Sequence, residues 1–151
     1  MDTHTKTKAI IVDIDGTISN DRWRRHLLST GQASWDDINT MSKYDMPFPW
    51  CLAIVDAFQD RGYKILFVTA RNEKYKQDTV NWLNANVQAG YELHMRPTLD
   101  TSEDYIIKRS LYLTHVLPFY DVEFCLEDRP SVVQMWRDLG LACLQCDGDF
   151  S

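Results

Sequence analysis

The 151-residue sequence has no long hydrophobic run, and no apolar stretch approaches the ~18 residues of a membrane-spanning helix. Its first eight residues also lack the apolar segment of a signal peptide. These absences argue against a membrane protein and a secreted one, so we expect a cytoplasmic location. Internal repeats and low-complexity linkers are missing too, which favours a single domain over residues 1–151.

An excess of basic residues is likewise missing. Lys and Arg total 16 against 22 Asp and Glu, which gives a formal net charge of −6. Proteins that bind along nucleic acid neutralise many phosphates with Lys and Arg. The composition therefore argues against a broad nucleic-acid surface, although a local basic cluster could hold a single phosphate end.

Cysteine is sparse, with four residues. Cys143 and Cys146 have the spacing of a redox motif or half a zinc site, but no second ligand pair accompanies them. They lie in a predicted strand, where positions three apart face opposite sides, so we favour no metal or redox role for them. Cys51 and Cys125 lie in apolar segments and are expected to be small core residues.

The sequence does contain a regular alternation of apolar strand patterns and amphipathic helix patterns. Strands are predicted over residues 10–12, 63–69, 91–95, 121–126 and 141–145. Helices are predicted over residues 21–28, 35–42 and 73–84, between Pro49 and Gly62, around Lys108, and from Pro130 to Gly140. This order predicts a three-layer α/β domain with a five-stranded, mostly parallel sheet.

Helix caps are predicted from side chains that accept hydrogen bonds. Ser19 and Asn20 precede the first helix, Ser34 precedes the second, and Thr101 or Ser102 precedes the helix around Lys108. Helical spacing places four residues of this last helix on its inner side, namely Ile107, Leu111, Thr114 and Leu117.

Polar or charged side chains follow three of the predicted strands. The pairs are Asp13 and Asp15, Thr69 and Arg71, and Glu127 and Asp128. Because ligands of parallel sheets bind at the carboxyl ends of the strands, we expect these residues in one site. Two close carboxylates repel each other, and a divalent cation relieves the repulsion. The alternative is that these acids belong only to turns and helix caps.

In this order the residues resemble the motifs of the haloacid dehalogenase-like (HAD) phosphohydrolases. The motifs are Asp13-Ile-Asp15-Gly-Thr17, Thr69, Lys108 and Glu127-Asp128, which span nearly the whole chain. Within that superfamily the sequence is most similar to the 3′-phosphatase domain of bacteriophage polynucleotide kinase. The resemblance implies a Rossmann-like HAD fold with a small helical cap at about residues 19–46, and the host cytoplasm as location if a phage encodes the chain.

The sequence departs from that phage enzyme in two ways. No Gly-x-x-x-x-Gly-Lys-Ser/Thr loop occurs, so the kinase half and 5′-phosphorylation are expected to be absent. Glu103 stands where the phage phosphatase is expected to carry a basic residue. The nucleic-acid contacts of the phage enzyme therefore do not transfer directly to this chain.

The resemblance and the side-chain chemistry together imply a magnesium-dependent phosphatase. Asp13, Asp128 and the backbone carbonyl of Asp15 would hold Mg²⁺, with Glu127 in the outer shell. Asp13 would attack phosphorus and form an aspartyl-phosphate, and Asp15 would act as acid and then as base.

Five further residues are candidates for supporting roles. The Thr69 hydroxyl and the Lys108 ammonium would stabilise the transition-state oxygens, unless they are an ordinary strand-end threonine and a solvated helix lysine. Arg71 either binds the substrate phosphate or pairs with a nearby acid. Asp100 and Arg129 are candidates for substrate binding, and Arg129 is alternatively a clamp for the acidic pair.

Substrate choice is expected to depend on the cap. It contains Arg22, Arg24 and Arg25 beside Trp23, with Trp35 further along. Cations interleaved with aromatic residues suit a phosphate next to a base or sugar, and Arg22 and Arg25 are the predicted contacts. The alternative is a solvated amphipathic helix with its tryptophan packed inward.

These features predict a phosphomonoesterase whose substrate is a phosphorylated nucleotide or nucleic-acid end. The 3′-phosphate of a polynucleotide end is the first hypothesis, and a 5′- or 3′-mononucleotide phosphatase is the second. A third hypothesis, of a different class, is a non-catalytic module that binds phosphorylated ends. The sequence leaves the oligomeric state open.

Overall fold

A computed structural model describes residues 6–146, so both ends of the expected 1–151 domain lie outside the described residues. Seven strands occur among these residues: β1 (Thr7–Val12), β2 (Ser19–Asn20), β3 (Met46–Pro47), β4 (Lys64–Asn72), β5 (Glu92–Arg96), β6 (Tyr120–Glu127) and β7 (Cys143–Gln145). Five of them form a sheet in the order β5-β4-β1-β6-β7, and every pairing in it is parallel. This confirms the predicted fold class.

Six α-helices accompany the strands in the described part of the chain: α1 (Arg22–Ser29), α2 (Trp35–Met41), α3 (Pro49–Asp60), α4 (Lys76–Asn86), α5 (Asp104–Leu111) and α6 (Pro130–Asp138). Ile10 and Val12 of β1 pack in one apolar cluster with residues of α3 and α4. Ile11, which points the other way, packs in a second cluster with residues of α5 and α6. The central strand is therefore buried on both faces, as its continuous apolar run predicts.

A small cap lies between β1 and α3. It consists of β2 and β3, which pair antiparallel, and of α1 and α2. The first turn of α2 has the expected cap: Ser34 accepts from the Asp37 backbone, and the Asp37 side chain accepts from the Ser34 backbone. Before α1 the prediction of a cap at Ser19 or Asn20 is wrong, because the N-cap residue is Asp21, whose side chain makes no capping hydrogen bond. Asn20 accepts a hydrogen bond from the Arg22 backbone at 3.2 Å, whereas the Ser19 hydroxyl donates to Asp45 instead.

The helix that carries Lys108 differs from the prediction at both ends. Its N-cap residue is Glu103, so the prediction of a cap at Thr101 or Ser102 is wrong. At the other end the chain continues as a π-turn, Tyr112–Val116. The wider π-turn shifts the helical phase. Consequently Tyr112 and Val116 are buried, whereas the predicted core residues Thr114 and Leu117 are exposed.

Strand β4 begins one residue later than predicted and ends three residues later, at Asn72 rather than Thr69. A shift in register after Val68 lets Asn72 pair with Arg96 of β5. The four cysteines are free thiols, and Cys51 and Cys125 are core residues as expected. Within residues 6–146, every helix is too short or too polar to cross a bilayer.

Candidate active site

Asp13 lies directly after β1, at the carboxyl edge of the sheet. Its backbone N–H donates to the Leu126 carbonyl of β6 at 3.0 Å, which brings the ends of the two strands together. Gly16 then turns the chain with a φ of +82°, and a Cβ at this position would lie 2.1 Å from Asp128 Oδ2. Glycine is required here on both counts, because other residues disfavour this φ and have no space for the side chain.

Three buried carboxylates meet at this edge. Asp13, Glu127 and Asp128 each place an oxygen within 4.8 Å of the other two. Lys108, which is 3% exposed, donates to Asp13 Oδ1 and to Glu127 Oε1, both at 2.7 Å. The other Glu127 oxygen accepts from the backbone N–H groups of Asp128 and Arg129 at 3.2 and 3.3 Å. Glu127 is therefore held on both oxygens.

One ammonium group does not balance three buried carboxylates. Burial and the charge of Asp13 raise the pKa of Asp128 and of Glu127. Burial acts most strongly to raise the pKa of Asp13, but the charge of Lys108 and the hydrogen bonds with Asp128 and Lys108 together lower it. A cluster of hard oxygen donors with surplus negative charge fits Mg²⁺, which prefers carboxylate ligands. Asp13 and Asp128 are the residues that could hold it, with Glu127 engaged by Lys108.

Asp15 lies beside this cluster and is paired with two arginines. Arg24 and Arg71 donate to its Oδ1 at 2.5 and 2.6 Å. Burial acts against ionisation, yet the charges of Arg71 and Arg24 hold the pKa of Asp15 well below its usual range. Of the two roles predicted for Arg71, the structure contains the pairing with an acid.

Thr69 and Arg71 lie on the extended part of β4, next to the acids. The Thr69 hydroxyl oxygen accepts a hydrogen bond from the Arg71 backbone N–H at 3.0 Å. The Arg71 guanidinium also donates to the Thr79 hydroxyl of α4 at 2.9 Å. Both side chains are thus positioned by hydrogen bonds before any ligand binds.

Arg24 is fixed by a residue that local sequence patterns did not identify. Asp45 accepts from Arg24 Nε at 2.9 Å, from Trp23 Nε1 at 2.9 Å and from the Ser19 hydroxyl at 2.7 Å. The buried Asp45 carboxylate thus holds Arg24, and Arg24 in turn contacts Asp15, so the cap is connected to Asp15. No spacing rule pairs residues 21 positions apart, so only the folded chain reveals this connection.

Arg96 is a second residue that the sequence patterns missed. It donates to the carbonyls of Ala70, Asp100 and Ser102 at 2.8, 3.0 and 2.6 Å, and to Asp104 Oδ1 at 2.9 Å. These contacts hold the loop before α5 against β4. They therefore position the helix that carries Lys108.

A cleft of about 860 Å³ opens above the acids, between the cap and the loops that follow β4 and β5. Four of the predicted substrate contacts line it, namely Arg25, Arg71, Asp100 and Arg129. Arg25 pairs with Asp21 at 2.6 Å, and Arg129 pairs with Asp104 at 3.4 Å. The Asp100 carboxylate accepts from the Ser102 backbone at 2.9 Å and so shapes its own loop.

Arg22 departs from the prediction of a substrate contact. It does not line the cleft, and its guanidinium lies 5.9 Å from the centre of the Phe48 ring. Arg24 and Arg25 line the cleft, whereas Arg22, the first residue of α1, lies outside it.

Comparison with known proteins gives a consistent picture. The model of the family described as polynucleotide kinase PNKP phosphatase domain matches residues 7–150. A relative from Autographa californica nuclear polyhedrosis virus, named as a bifunctional polynucleotide kinase/RNA ligase, is 29% identical over 133 residues. That alignment covers 87% of this chain and 18% of the viral protein.

Solved structures agree with the family match. A chain in the structure of the Pnkp1/Rnl/Hen1 complex superposes with a TM-score of 0.82 and 34% identity, covering 99% of this chain and 49% of that one. A haloacid dehalogenase-like hydrolase of Streptococcus pneumoniae shares the fold alone, with a TM-score of 0.64 and 14% identity over 92% of this chain and 84% of its own.

The present chain spans about half the length of the Pnkp1/Rnl/Hen1 relative and a smaller part of the viral one. The family model covers residues 7–150, which include the five-stranded sheet, the cap and the three acids at the strand ends. The chain therefore belongs to the family of polynucleotide kinase PNKP phosphatase domains, which have the haloacid dehalogenase-like fold.

Proposed function

We propose that the chain is a magnesium-dependent phosphomonoesterase that removes the 3′-phosphate from a nucleic-acid end through an aspartyl-phosphate intermediate. The single observation that carries this proposal is the setting of Asp13. Its carboxylate is buried at the floor of an open cleft, is kept ionised by Lys108, and lies within 4.8 Å of two further carboxylates. An ionised, positioned carboxylate is a nucleophile for phosphorus once charge repulsion is removed.

Repulsion between Asp13 and a phosphate dianion must be overcome first. Mg²⁺ held by Asp13, Asp128 and the carbonyl of Asp15 would supply the positive charge that draws the two together. Lys108 already faces Asp13 and would act on the same phosphate oxygens. The Thr69 hydroxyl lines the cleft and would donate a hydrogen bond to the transferring group.

In the first half of the reaction an Asp13 oxygen bonds to phosphorus while the bond from phosphorus to the 3′-oxygen breaks. Asp15 gives the departing oxygen its proton. Arg24 and Arg71 keep Asp15 ionised in the free protein; a bound phosphate would draw the same guanidiniums towards itself, so that Asp15 takes up a proton from solvent before it donates it. In the second half the oxygen of a water molecule bonds to phosphorus while the bond from phosphorus to the Asp13 oxygen breaks; Asp15 takes the proton of the water, the Asp13 carboxylate is restored, and inorganic phosphate leaves.

The names of the relatives support a nucleic-acid end as substrate. One belongs to a complex described as an RNA repair complex, and the viral relative is named for kinase and RNA ligase activities. Removing a 3′-phosphate leaves a 3′-hydroxyl, which is the group that a ligase joins. We therefore propose a role in nucleic-acid repair ahead of end joining, with the cytoplasm as the expected location.

The test compares phosphate release from a 3′-phosphorylated oligonucleotide and from nucleoside 3′- and 5′-monophosphates, each with Mg²⁺ and with EDTA. We expect metal-dependent release, with the oligonucleotide preferred. Asp13→Asn should abolish turnover, and Asp60→Asn, an exposed control on α3, should not. An acid-quenched reaction with ³²P-labelled substrate should yield a labelled protein that hydroxylamine strips, and Asp13→Asn should yield none.

Two outcomes would contradict the proposal. If phosphate release from mononucleotides is faster than from the oligonucleotide by about tenfold or more, the chain is a mononucleotide phosphatase. Absence of any metal-dependent release, from the oligonucleotide or from p-nitrophenyl phosphate, would favour a non-catalytic binding module.

A further inference from the structure

One face of helix α2 is turned towards the cleft and does not take part in the chemistry described above. Trp35 and Asn39, which are four residues apart, both line the cleft, and Ile38 between them is buried and anchors the helix. The Trp35 indole is 62% exposed. Of the large apolar side chains exposed within residues 6–146, it is the one that lines the cleft.

We infer that Trp35 is the platform on which the nucleobase next to the scissile phosphate stacks. This inference rests on the proposed function and names its substrate class as a phosphate that carries a base, rather than a sugar phosphate. The floor of the cleft is charged and suits the phosphate, whereas the Trp35 ring is apolar and flat and suits a base. Every base has a π-face, so stacking binds ends of any sequence.

The position of Trp35 is fixed although its ring is exposed. The reciprocal Ser34 and Asp37 cap closes the turn in which it lies. The next residue, Asp36, accepts a hydrogen bond from the Tyr75 hydroxyl and pairs with Lys74 at 3.4 Å, and both partners lie beyond β4 on the other side of the cleft. The start of the helix is thus tied to the segment that follows β4, so stacking would require little new ordering.

Asn39 adds a polar group at the same wall. Its side-chain amide makes no hydrogen bond to any residue between 6 and 146, and its place one helical turn beyond Trp35 puts it beside a stacked base. An amide offers a donor and an acceptor to a base edge. Stacking is therefore assigned to Trp35, and contact with the base edge to Asn39.

The experiment uses two oligonucleotides that differ only at the 3′-phosphorylated terminal residue, one with a base and one abasic. For each protein the ratio of kcat/KM for the base-bearing end to that for the abasic end is measured. Trp35→Ala should lower this ratio by roughly 5- to 150-fold, the range for one stacked base, and Trp35→Phe should retain most of it. Trp50→Ala is the matched control, because Trp50 is 42% exposed but does not line the cleft.

The ratio separates stacking from a structural effect. If Trp35→Ala lowers both kcat/KM values equally, or neither, Trp35 is not a base platform and the inference fails. An unchanged ratio would be the result if the ring instead contacts another protein.

A second measurement keeps the inference testable if the proposed function is wrong. If the wild-type protein releases no phosphate from either oligonucleotide, the proposed 3′-end activity fails, and the two oligonucleotides are then compared by fluorescence binding. Base-bearing ends should bind more tightly than abasic ends to the wild type but equally to Trp35→Ala. Equal binding to the wild type would overturn the inference.

Discussion

Replacing Lys108 with methionine tests whether the buried charges are as unbalanced as the site indicates. The Lys108 ammonium contacts Asp13 and Glu127 at 2.7 Å each, and all three side chains are buried. Methionine fills a similar volume but carries no charge. The variant leaves the carboxylates of Asp13 and Glu127 without the ammonium group that they share, and close to Asp128.

Removing one partner of a buried ion pair costs about 3–5 kcal/mol, because the remaining charge stays out of water. In a chain of this size that loss lowers Tm by roughly 6–20 °C. Protonation partly relieves the cost. Burial and neighbouring carboxylates raise the pKa of Glu127 and of Asp128, so the folded state takes up protons that the unfolded state does not. The stability lost in Lys108→Met should therefore be larger at about pH 8 than at about pH 6.

The assay is urea unfolding at both pH values without metal, with Lys76→Met as the control because Lys76 is exposed on α4. The double variant Lys108→Met/Glu127→Gln removes one of the unpaired carboxylates. We expect it to be more stable than Lys108→Met alone, which gives a coupling energy for the pair.

A loss below about 1 kcal/mol for Lys108→Met, or a loss independent of pH, would refute this account of the site. Such a result would mean that water or relaxation of the cleft already screens the acids. In a phosphatase assay we expect Lys108→Met to lose turnover at every pH tested, because Lys108 contacts Asp13 directly.

Three further changes test other parts of the structure. Gly16→Ala forces a side chain against Asp128 at a φ of +82°, so we expect more than about 1 kcal/mol of destabilisation in urea and weaker activation in a Mg²⁺ titration. Asp45→Asn removes the charge that holds Arg24, and should cost at least about 2 kcal/mol in urea unfolding and lower kcat; an unchanged kcat would show that the cap contact is not needed for turnover. Burial lowers the pKa of His94 below 6.5, so the unfolded state takes up the proton first and stability falls as pH drops through that value. His94→Gln removes that part of the pH dependence, and a stability difference from wild type that does not change with pH would contradict this explanation.

Much of the site follows from local patterns. A continuous apolar run such as that of β1 is typical of a strand covered on both faces, and the acids that follow it must lie at the carboxyl edge of the sheet. The same reasoning places Glu127 and Asp128 at the carboxyl end of β6, and the structure brings both to Asp13. Periodicity also identified α2 and its Ser34 cap correctly, because capping depends on residues within one turn.

Local patterns are less informative about the helical phase after α5 and about which surroundings each arginine of the cap reaches. The π-turn after α5 adds a residue to one turn, and no hydrophobic spacing before it indicates that Thr114 will be exposed. The three arginines at the start of the cap are equivalent in the sequence. In the structure Arg24 is buried, Arg25 lines the cleft and Arg22 lies outside it.

Strand type, strand order along the chain and the identity of the acids depend on side chains within a few residues of one another, so they are readable from the amino-acid order. The pairing of Arg24 with Asp45 and of Arg96 with Asp104 depends on how separate elements pack. Buried charges require partners, but many carboxylates in the chain could have met that need. The packing of the cap against the core determines which carboxylate pairs with each buried cation. Only the tertiary structure therefore decides how Asp15 and Lys108 are held.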